Sequence, residues 1–576
     1  MREELLWKSD LGDGTYKNPV LFADYSDPDV IRAGDTYYMT ASSFNYTPGL
    51  PILISKDLVN WKLVNYAVEN IAYGDFRIPA HAKGIWAPAI RFHYNRFWIY
   101  YGMPDEGIFM VNSEDPLGRW SEPVCVLEGK GLIDPCPFWE EDGKAYIIHG
   151  YANSRIGFKS ILGMFPMSWD GRKAAGEDEF IYDGRKTQPT IEGPKVYKRE
   201  GYYYIFAPAG GVKTGWQTVL RGKDIHGPYE ERIVMTSGKT GINGPHQGGL
   251  TDTPDGTEWF LHFQDRGAYG RIVHLQPVRW RDGWPVIGED PGGSGCGEPV
   301  SIWEKPVVIG KKPGSGEKEA VVMGKKPGSG EKEAVWMSKK PVSEDKKAVV
   351  KDKNPAPEGE KSDEDSEYSP TYLQASDEFK EDSLSLQWQW LGNHEKSFYS
   401  LKERKGFLRL YSLNPSEDDL VTLWRSANVL TEKIVCPSFQ TEATLEIQGL
   451  KEEEQAGMAL IGGQYAYTAI RKKEKCFTLV YVESVGEEEI RVEKVLMEEE
   501  ISETIEKVRI RIVVEENKDE PIARFSYRLN EDEYVETGHK FIPSKHTWVG
   551  AKIGLFSLPL CKKENYGYAD FDSIKV

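Results

Sequence analysis

Five stretches of this chain share one local grammar, and that repetition constrains the fold more than any other feature of the sequence. The first runs Tyr25-Ser-Asp-Pro-Asp-Val-Ile-Arg-Ala-Gly-Asp-Thr-Tyr-Tyr-Met-Thr40. It reads as a polar residue, a proline that breaks regular pairing, an apolar strand, a turn at Ala33-Gly34-Asp35 and an aromatic strand running back. The same order returns at Trp86-Ala-Pro-Ala-Ile-Arg-Phe-His-Tyr-Asn-Arg-Phe, Asp134-Pro-Cys-Pro-Phe-Trp-Glu-Glu-Asp-Gly-Lys, Glu192-Gly-Pro-Lys-Val-Tyr-Lys-Arg-Glu-Gly-Tyr and His246-Gln-Gly-Gly-Leu-Thr-Asp-Thr-Pro-Asp-Gly. Counted between the leading residues Asp27, Trp86, Asp134, Glu192 and His246, the spacings are 59, 48, 58 and 54. A period near fifty suits four-stranded blades arranged radially, which carry equivalent positions of successive blades to one axis. The spacing therefore predicts a five-bladed β-propeller whose leading residues line a single hollow.

At 576 residues the chain exceeds one core, so a second domain is expected. Composition changes after Trp303. Lys311-Lys-Pro-Gly-Ser-Gly-Glu-Lys-Glu-Ala-Val-Val-Met323 recurs with a period of 14 residues from Lys325, and a degraded copy follows from Lys339. Such short charged units bury no core, so residues 304–370 read as a linker between a propeller at 1–303 and a folded region at 371–576. Alternating runs such as Phe439-Gln-Thr-Glu-Ala-Thr-Leu and Val508-Arg-Ile-Arg-Ile-Val-Val514 make that last region a β-sandwich, with the Glu runs at 452–454, 487–489 and 498–500 on its turns as solvated edges. The fold class is all-β.

A net charge of −18 argues against nucleic acid or an anionic membrane as partner. Met1-Arg-Glu-Glu-Leu-Leu-Trp-Lys-Ser-Asp10 lacks an apolar signal core, and no window approaches the roughly 20 apolar residues of a spanning helix, so the chain reads as cytoplasmic. Six cysteines without a CxxC pair suggest neither a zinc site nor a disulfide framework. Cys136, two residues past Asp134, is expected to be sensitive to alkylation.

Three carboxylates, an imidazole and an indole around one axis suit acid/base work on a neutral polyol. Cleaving a glycosidic bond needs one acid that stays protonated for the leaving oxygen and one carboxylate that stays ionised to deprotonate water. Glu192 and Asp27 are the candidates for these tasks, with Asp134 placed to raise the proton affinity of Glu192 and orient it. Trp86 and Phe44 offer stacking faces, and Arg271 can bind ring hydroxyls. His246 is an orienting hydrogen-bond partner or an ion ligand. Each alone has a plainer reading, since an Asp before Pro commonly caps a turn and a Trp commonly packs a blade. Their shared phase carries the case.

Asn18-Pro-Val-Leu21, Ser26-Asp-Pro-Asp-Val-Ile, Gly84-Ile-Trp-Ala-Pro88, Asp134-Pro135, Glu192-Gly-Pro194, Gly244-Pro-His246 and Trp280-Arg-Asp-Gly-Trp-Pro285 together resemble glycoside hydrolase family forty-three, the family of β-xylosidases and α-L-arabinofuranosidases. The resemblance implies a five-bladed propeller and an inverting exo-glycosidase releasing xylose or arabinofuranose from short oligosaccharides. It implies Asp27 as general base, Glu192 as general acid and Asp134 as modulator. No cofactor is required for the chemistry, and a structural calcium near His246 is part of the implied pattern. Ser376-Asp-Glu-Phe379 and Ala569-Asp-Phe-Asp-Ser-Ile574 are similar to the concanavalin-like sandwich that accompanies the xylosidase members; in relatives that sandwich can lend a loop to the pocket, and no residue of this sequence identifies itself as that loop. A homo-oligomer is compatible with this pattern. Two alternatives stand beside it. A retaining fructosidase-type propeller would carry an Arg before the middle Asp-Pro and a Cys after the acid Glu, where this chain has Ile133 and Gly193. A carbohydrate-binding propeller without catalysis would not need all three carboxylates.

Overall fold

The computed structural model describes residues 7–307, 373, 375–414, 421–474, 476–486, 491–517 and 520–576. The 14-residue repeats and the Glu run at 487–489 lie outside the described residues.

Five antiparallel sheets of four consecutive strands form the propeller. Their first strands are Asp29–Ala33, Trp86–His93, Leu132–Trp139, Lys195–Arg199 and His246–Asp252, and these touch one another around the axis. Local sequence explains the hairpins that follow. Tyr94-Asn95, Glu200-Gly201 and Asp282-Gly283 each join two strands with both residues at positive φ, the turn whose twist matches that of the flanking strands. Between blades the packing is apolar, as where Ile148, Leu162 and Met164 of blade three meet Val196, Ile205 and Leu220 of blade four.

The ring closes differently from a blade shared between the two chain ends. Every blade is contiguous in sequence. The N-terminal segment instead crosses the last blade, with Leu21 bridged to Val273, and Thr15–Lys17 pairs with Ile302–Glu304. Asn18 fixes this crossing by donating to the carbonyls of Leu275 and Val300, both at 2.8 Å.

Two seven-stranded antiparallel sheets make the sandwich. Strand Lys507–Asn517 shows why: Val508, Ile510, Ile512 and Val514 are buried while the residues between them face outward. Each such aliphatic side chain contributes roughly 1.5–3 kcal/mol by leaving water. The Glu498-Glu-Glu500 run, expected on a turn, lies in the edge strand Val492–Ile501. Repelling charges on an edge prevent another chain from adding to the sheet, so this run is the solvated edge read from sequence, carried on a strand and not on a turn. Glu454 is fully buried at a strand start and accepts hydrogen bonds from the amides of Lys451 and Gly567.

The sandwich packs on the propeller through specific contacts. Asn45 donates to the Leu391 carbonyl, Tyr269 to that of Pro437, and the His81 ring stacks on Trp424 at 3.4 Å. Among the described residues, no helix is long and apolar enough to cross a membrane.

Candidate active site

At the entrance to each inner strand one residue has positive φ: Asp27 (54°), Ala87 (34°), Asp134 (57°), Gly193 (59°) and Gln247 (32°). In four blades the next residue is proline (Pro28, Pro88, Pro135 and Pro194), and in the fifth it is Gly248. The pairing register slips at these points in blades two, three and five, so each is a bulge that re-aims side chains. Four non-glycine residues held at positive φ cost energy, of order 1–3 kcal/mol each, and such strain gathers at functional sites.

This corrects the phase read from sequence. Asp27 and Asp134 belong to the positive-φ layer, whereas Trp86, Glu192 and His246 stand one residue earlier, level with Ser26 and Ile133. The two layers still meet. Asp27, Trp86, Ala87, Ile133, Asp134, Glu192, Gln247 and Arg271 line one pocket with Phe44 and Trp548, a space of about 410 Å³ counted to its open mouth. A roomier hollow on the seam between propeller and sandwich, lined by Tyr25, Tyr66, Gln387 and Lys433 among others, has no carboxylate in its lining and so offers no acid/base pair.

Asp27 is buried and held by three donors. Ser26 Oγ and Ser42 Oγ donate to Oδ2 at 2.7 and 2.6 Å, and Arg271 Nη1 donates to Oδ1 at 2.9 Å. Donors converging in this way stabilise negative charge. Arg271, proposed from sequence as a hydroxyl binder, is thus tied to Asp27 while it also faces the pocket, with Phe263 packed 4.4 Å from its guanidinium carbon.

Asp134 Oδ2 accepts from the Gly193 amide at 2.8 Å and from Gln247 Nε2 at 3.1 Å. The first bond ties the base of blade three directly to the segment that carries Glu192. Burial pushes Asp134 up to about 8, and the charges of Glu192 and Asp27 push in the same direction. The sequence reading gave Asp134 the task of raising its neighbour; in the structure Asp134 is itself the raised carboxylate. Asp134 therefore keeps its proton near neutral pH.

That shift has a consequence for stability. A carboxyl whose folded pKa lies above its unfolded value of about 3.9 stabilises the fold fully below that value, and the contribution is lost as pH rises through 8. Asp134→Asn removes the loss. Thermal melts of the variant and the parent are expected to coincide near pH 4, with the variant gaining up to a few kcal/mol by pH 9; parallel Tm curves would contradict the assignment.

His246 does not line the pocket. Its ring is buried behind Glu192, with Nε2 2.8 Å from Glu192 Oε1. The Glu192 side chain keeps about 33% of its surface exposed, and its Oε2 carries no hydrogen bond among the described residues. His246 therefore holds one oxygen and leaves the other facing the pocket. Calcium takes six to eight oxygen ligands. His246 Nδ1 is a single buried nitrogen without a partner, and no group of three or more His, Cys, Asp or Glu among the described residues is placed to hold a metal. These side chains do not fit a calcium cage. Cys136 is fully buried, with Arg91 Nη2 3.0 Å from its sulfur, which removes the expected access for alkylation.

The mouth is aromatic. Trp86 donates from Nε1 to the Ala82 carbonyl at 3.0 Å, and Trp548 packs edge-to-face with Trp86 at 4.5 Å and stacks on Phe44 at 6.3 Å. Trp548 comes from the sandwich and supplies the loop residue the sequence left unnamed. Asp24 fixes that loop, accepting from the Arg271 amide with one oxygen and from the Gly550 amide with the other, both at 2.9 Å. A Cβ on Gly550 would stand 2.5 Å from the Gly270 nitrogen, so only glycine lets the two backbones approach here.

Known proteins resemble this chain in both of its folded regions. Residues 16–285 match the model of glycosyl hydrolases family 43, and residues 376–576 match that of the beta xylosidase C-terminal concanavalin A-like domain. A Xylanibacter ruminicola protein named "Putative beta-xylosidase" is 34% identical over 546 residues, covering 95% of this chain and 86% of the relative. A beta-xylosidase of Formosa agariphila is 30% identical over 613 residues, covering 98% and 90%. The crystal structure of a xylan beta-1,4-xylosidase from Bacillus halodurans shares the fold, with a TM-score of 0.76 at 22% identity over 97% of this chain and 99% of that one. With its catalytic-type propeller and its sandwich both matched in order, the chain belongs to the glycosyl hydrolases of family 43.

Proposed function

We propose that this glycoside hydrolase removes single pentose units, β-linked xylose or α-L-arabinofuranose, from the non-reducing ends of short oligosaccharides with inversion at the anomeric carbon. The observation that carries the reading is the convergence of Asp27, Asp134 and Glu192 on one aromatic-walled pocket. Water held by Asp27 attacks the anomeric carbon on the face opposite the leaving oxygen and gives its proton to that carboxylate. Glu192 delivers a proton to the leaving oxygen as the glycosidic bond breaks. Asp134 and the Gly193 amide hold the Glu192 segment in place, His246 orients its carboxyl, and Arg271 binds ring hydroxyls beside Asp27. Phe44, Trp86 and Trp548 stack on the sugar and exclude water. The protein supplies both proton transfers, so the chemistry asks for no cofactor. All six cysteines are unpaired, in keeping with a reducing, intracellular setting.

Rates on nitrophenyl β-D-xyloside and nitrophenyl α-L-arabinofuranoside test the substrate class. Hydrolysis of at least one, well above any nitrophenyl hexoside, is expected. Preference for a hexoside would remove the pentose assignment.

A further inference from the structure

The inner strands begin at the catalytic pocket and end on the opposite face of the ring. There the far ends of four of them, Asp29–Ala33, Trp86–His93, Leu132–Trp139 and Lys195–Arg199, enclose a second concavity of about 940 Å³ counted to its mouth. Trp139 stands five residues along its strand from Asp134, roughly 17 Å at the usual rise of about 3.3 Å per residue. Arg91 in the groove wall is paired at 2.6 Å with Asp29, which is fully buried. A ligand in the rear groove is therefore not an extension of one in the pocket.

The groove has the makings of a binding site. Phe92, Phe138 and Trp139 line it, and Phe92 is 45% exposed. The His93 ring stacks on Trp139 at 4.5 Å and 16°, and Tyr94 at the adjoining turn is 68% exposed. Polar groups sit among them. Glu140 is only 8% exposed and takes a 2.8 Å hydrogen bond from Lys198 on Oε2; the Tyr203 hydroxyl also lies beside this carboxylate, while Oε1 has no hydrogen-bond partner, and His93 Nε2 is likewise buried and unpartnered. Leaving a buried carboxylate oxygen unpaired costs about 1–3 kcal/mol or more, which a bound hydroxyl donor would recover. Lys198 pairs with Glu140 and Arg91 with Asp29, so most of the charge in the groove is cancelled internally.

Flat apolar faces, a waiting acceptor and little net charge describe a site for a neutral ligand with apolar ring faces and outward hydroxyls. We infer that the rear groove is a second saccharide-binding site, in which an oligosaccharide stacks on Phe92 and Trp139 and donates a hydroxyl to Glu140. It would hold a chain on the enzyme without cleaving it, since the groove lacks a second acid beside Glu140 suited to displacement: Glu141 is exposed to solvent. The choice of a pentose chain as ligand rests on the reading of the catalytic pocket.

The test is calorimetric titration of the full chain carrying Glu192→Ala with xylohexaose, and in parallel with cellohexaose. Two sites per chain are expected for at least one of them. Phe92→Ala and Glu140→Gln, each added separately, should weaken one site by at least about tenfold. The same two substitutions in the otherwise unaltered enzyme should leave hydrolysis of a nitrophenyl pentoside within about twofold, because they lie far from the acids. A single site with both sugars, or two sites indifferent to both substitutions, overturns the proposal. So does a concentration-dependent dimer that Phe92→Ala abolishes, which would assign the groove to a second copy of the chain. Failure of the pocket reading shows separately, as absence of pentoside hydrolysis whatever the groove binds.

Discussion

Asp27→Ala is expected to lower turnover about 10⁴-fold, the upper end of what one proton-transfer group contributes, and equally on every substrate. The reason lies in its task. Attack by water needs the base however good the leaving group is, so aryl glycosides with acidic phenols should not recover activity. The substitution also leaves Arg271 Nη1, now bonded at 2.9 Å to Asp27 Oδ1, with Ser26 Oγ alone. Breaking a buried pair in this way costs about 3–5 kcal/mol, so Asp27→Ala should melt well below the parent. Asp27→Asn separates the two effects. It keeps an acceptor for Arg271 and so should recover most of the stability while remaining inactive. Measuring kcat and Tm on both variants checks the pair of statements, and an active Asp27→Asn would remove Asp27 from the base role.

Glu192→Ala should behave differently by substrate. On oligosaccharides, whose leaving alcohol must be protonated, the loss should be about 10²- to 10⁴-fold. On dinitrophenyl glycosides, whose leaving group departs unprotonated, most activity should return. His246 loses its 2.8 Å partner, but Asp134 keeps its bonds from the Gly193 amide and Gln247, so the pocket should stay formed. Equal losses on both substrates would mean that Glu192 positions the sugar and does not donate the proton.

Much of this was legible because the determinants are local. Hairpins with turns such as Glu200-Gly201 and Asp282-Gly283 announce themselves within a dozen residues, and five of them at a steady spacing leave few architectures open. The phase was misread by one residue in three blades because the leading side chains were matched by chemistry. The backbone aligns instead on the prolines at 28, 88, 135 and 194, each preceded by a residue at positive φ. Aligning those prolines would have set Trp86 and Glu192 in the layer of Ser26 and Ile133, whereas the fifth blade, with Gly248 in the place of proline, carries no such mark for His246. Trp548 was out of reach. Its position depends on Gly550 lying against Gly270 and on Asp24 bridging the two segments, contacts between residues hundreds of positions apart that no periodicity reports. The raised proton affinity of Asp134 was hidden for a similar reason, since burial, its largest cause, is a property of the assembled ring.

The most direct test of the two-carboxylate displacement is the configuration of the first-formed sugar, followed by proton NMR during hydrolysis of a β-xyloside before mutarotation. With Asp27 activating water on one face and Glu192 protonating the leaving oxygen on the other, α-xylose must appear first. First appearance of β-xylose would mean that one of these carboxylates bonds to the sugar, and the roles assigned to them here would be wrong.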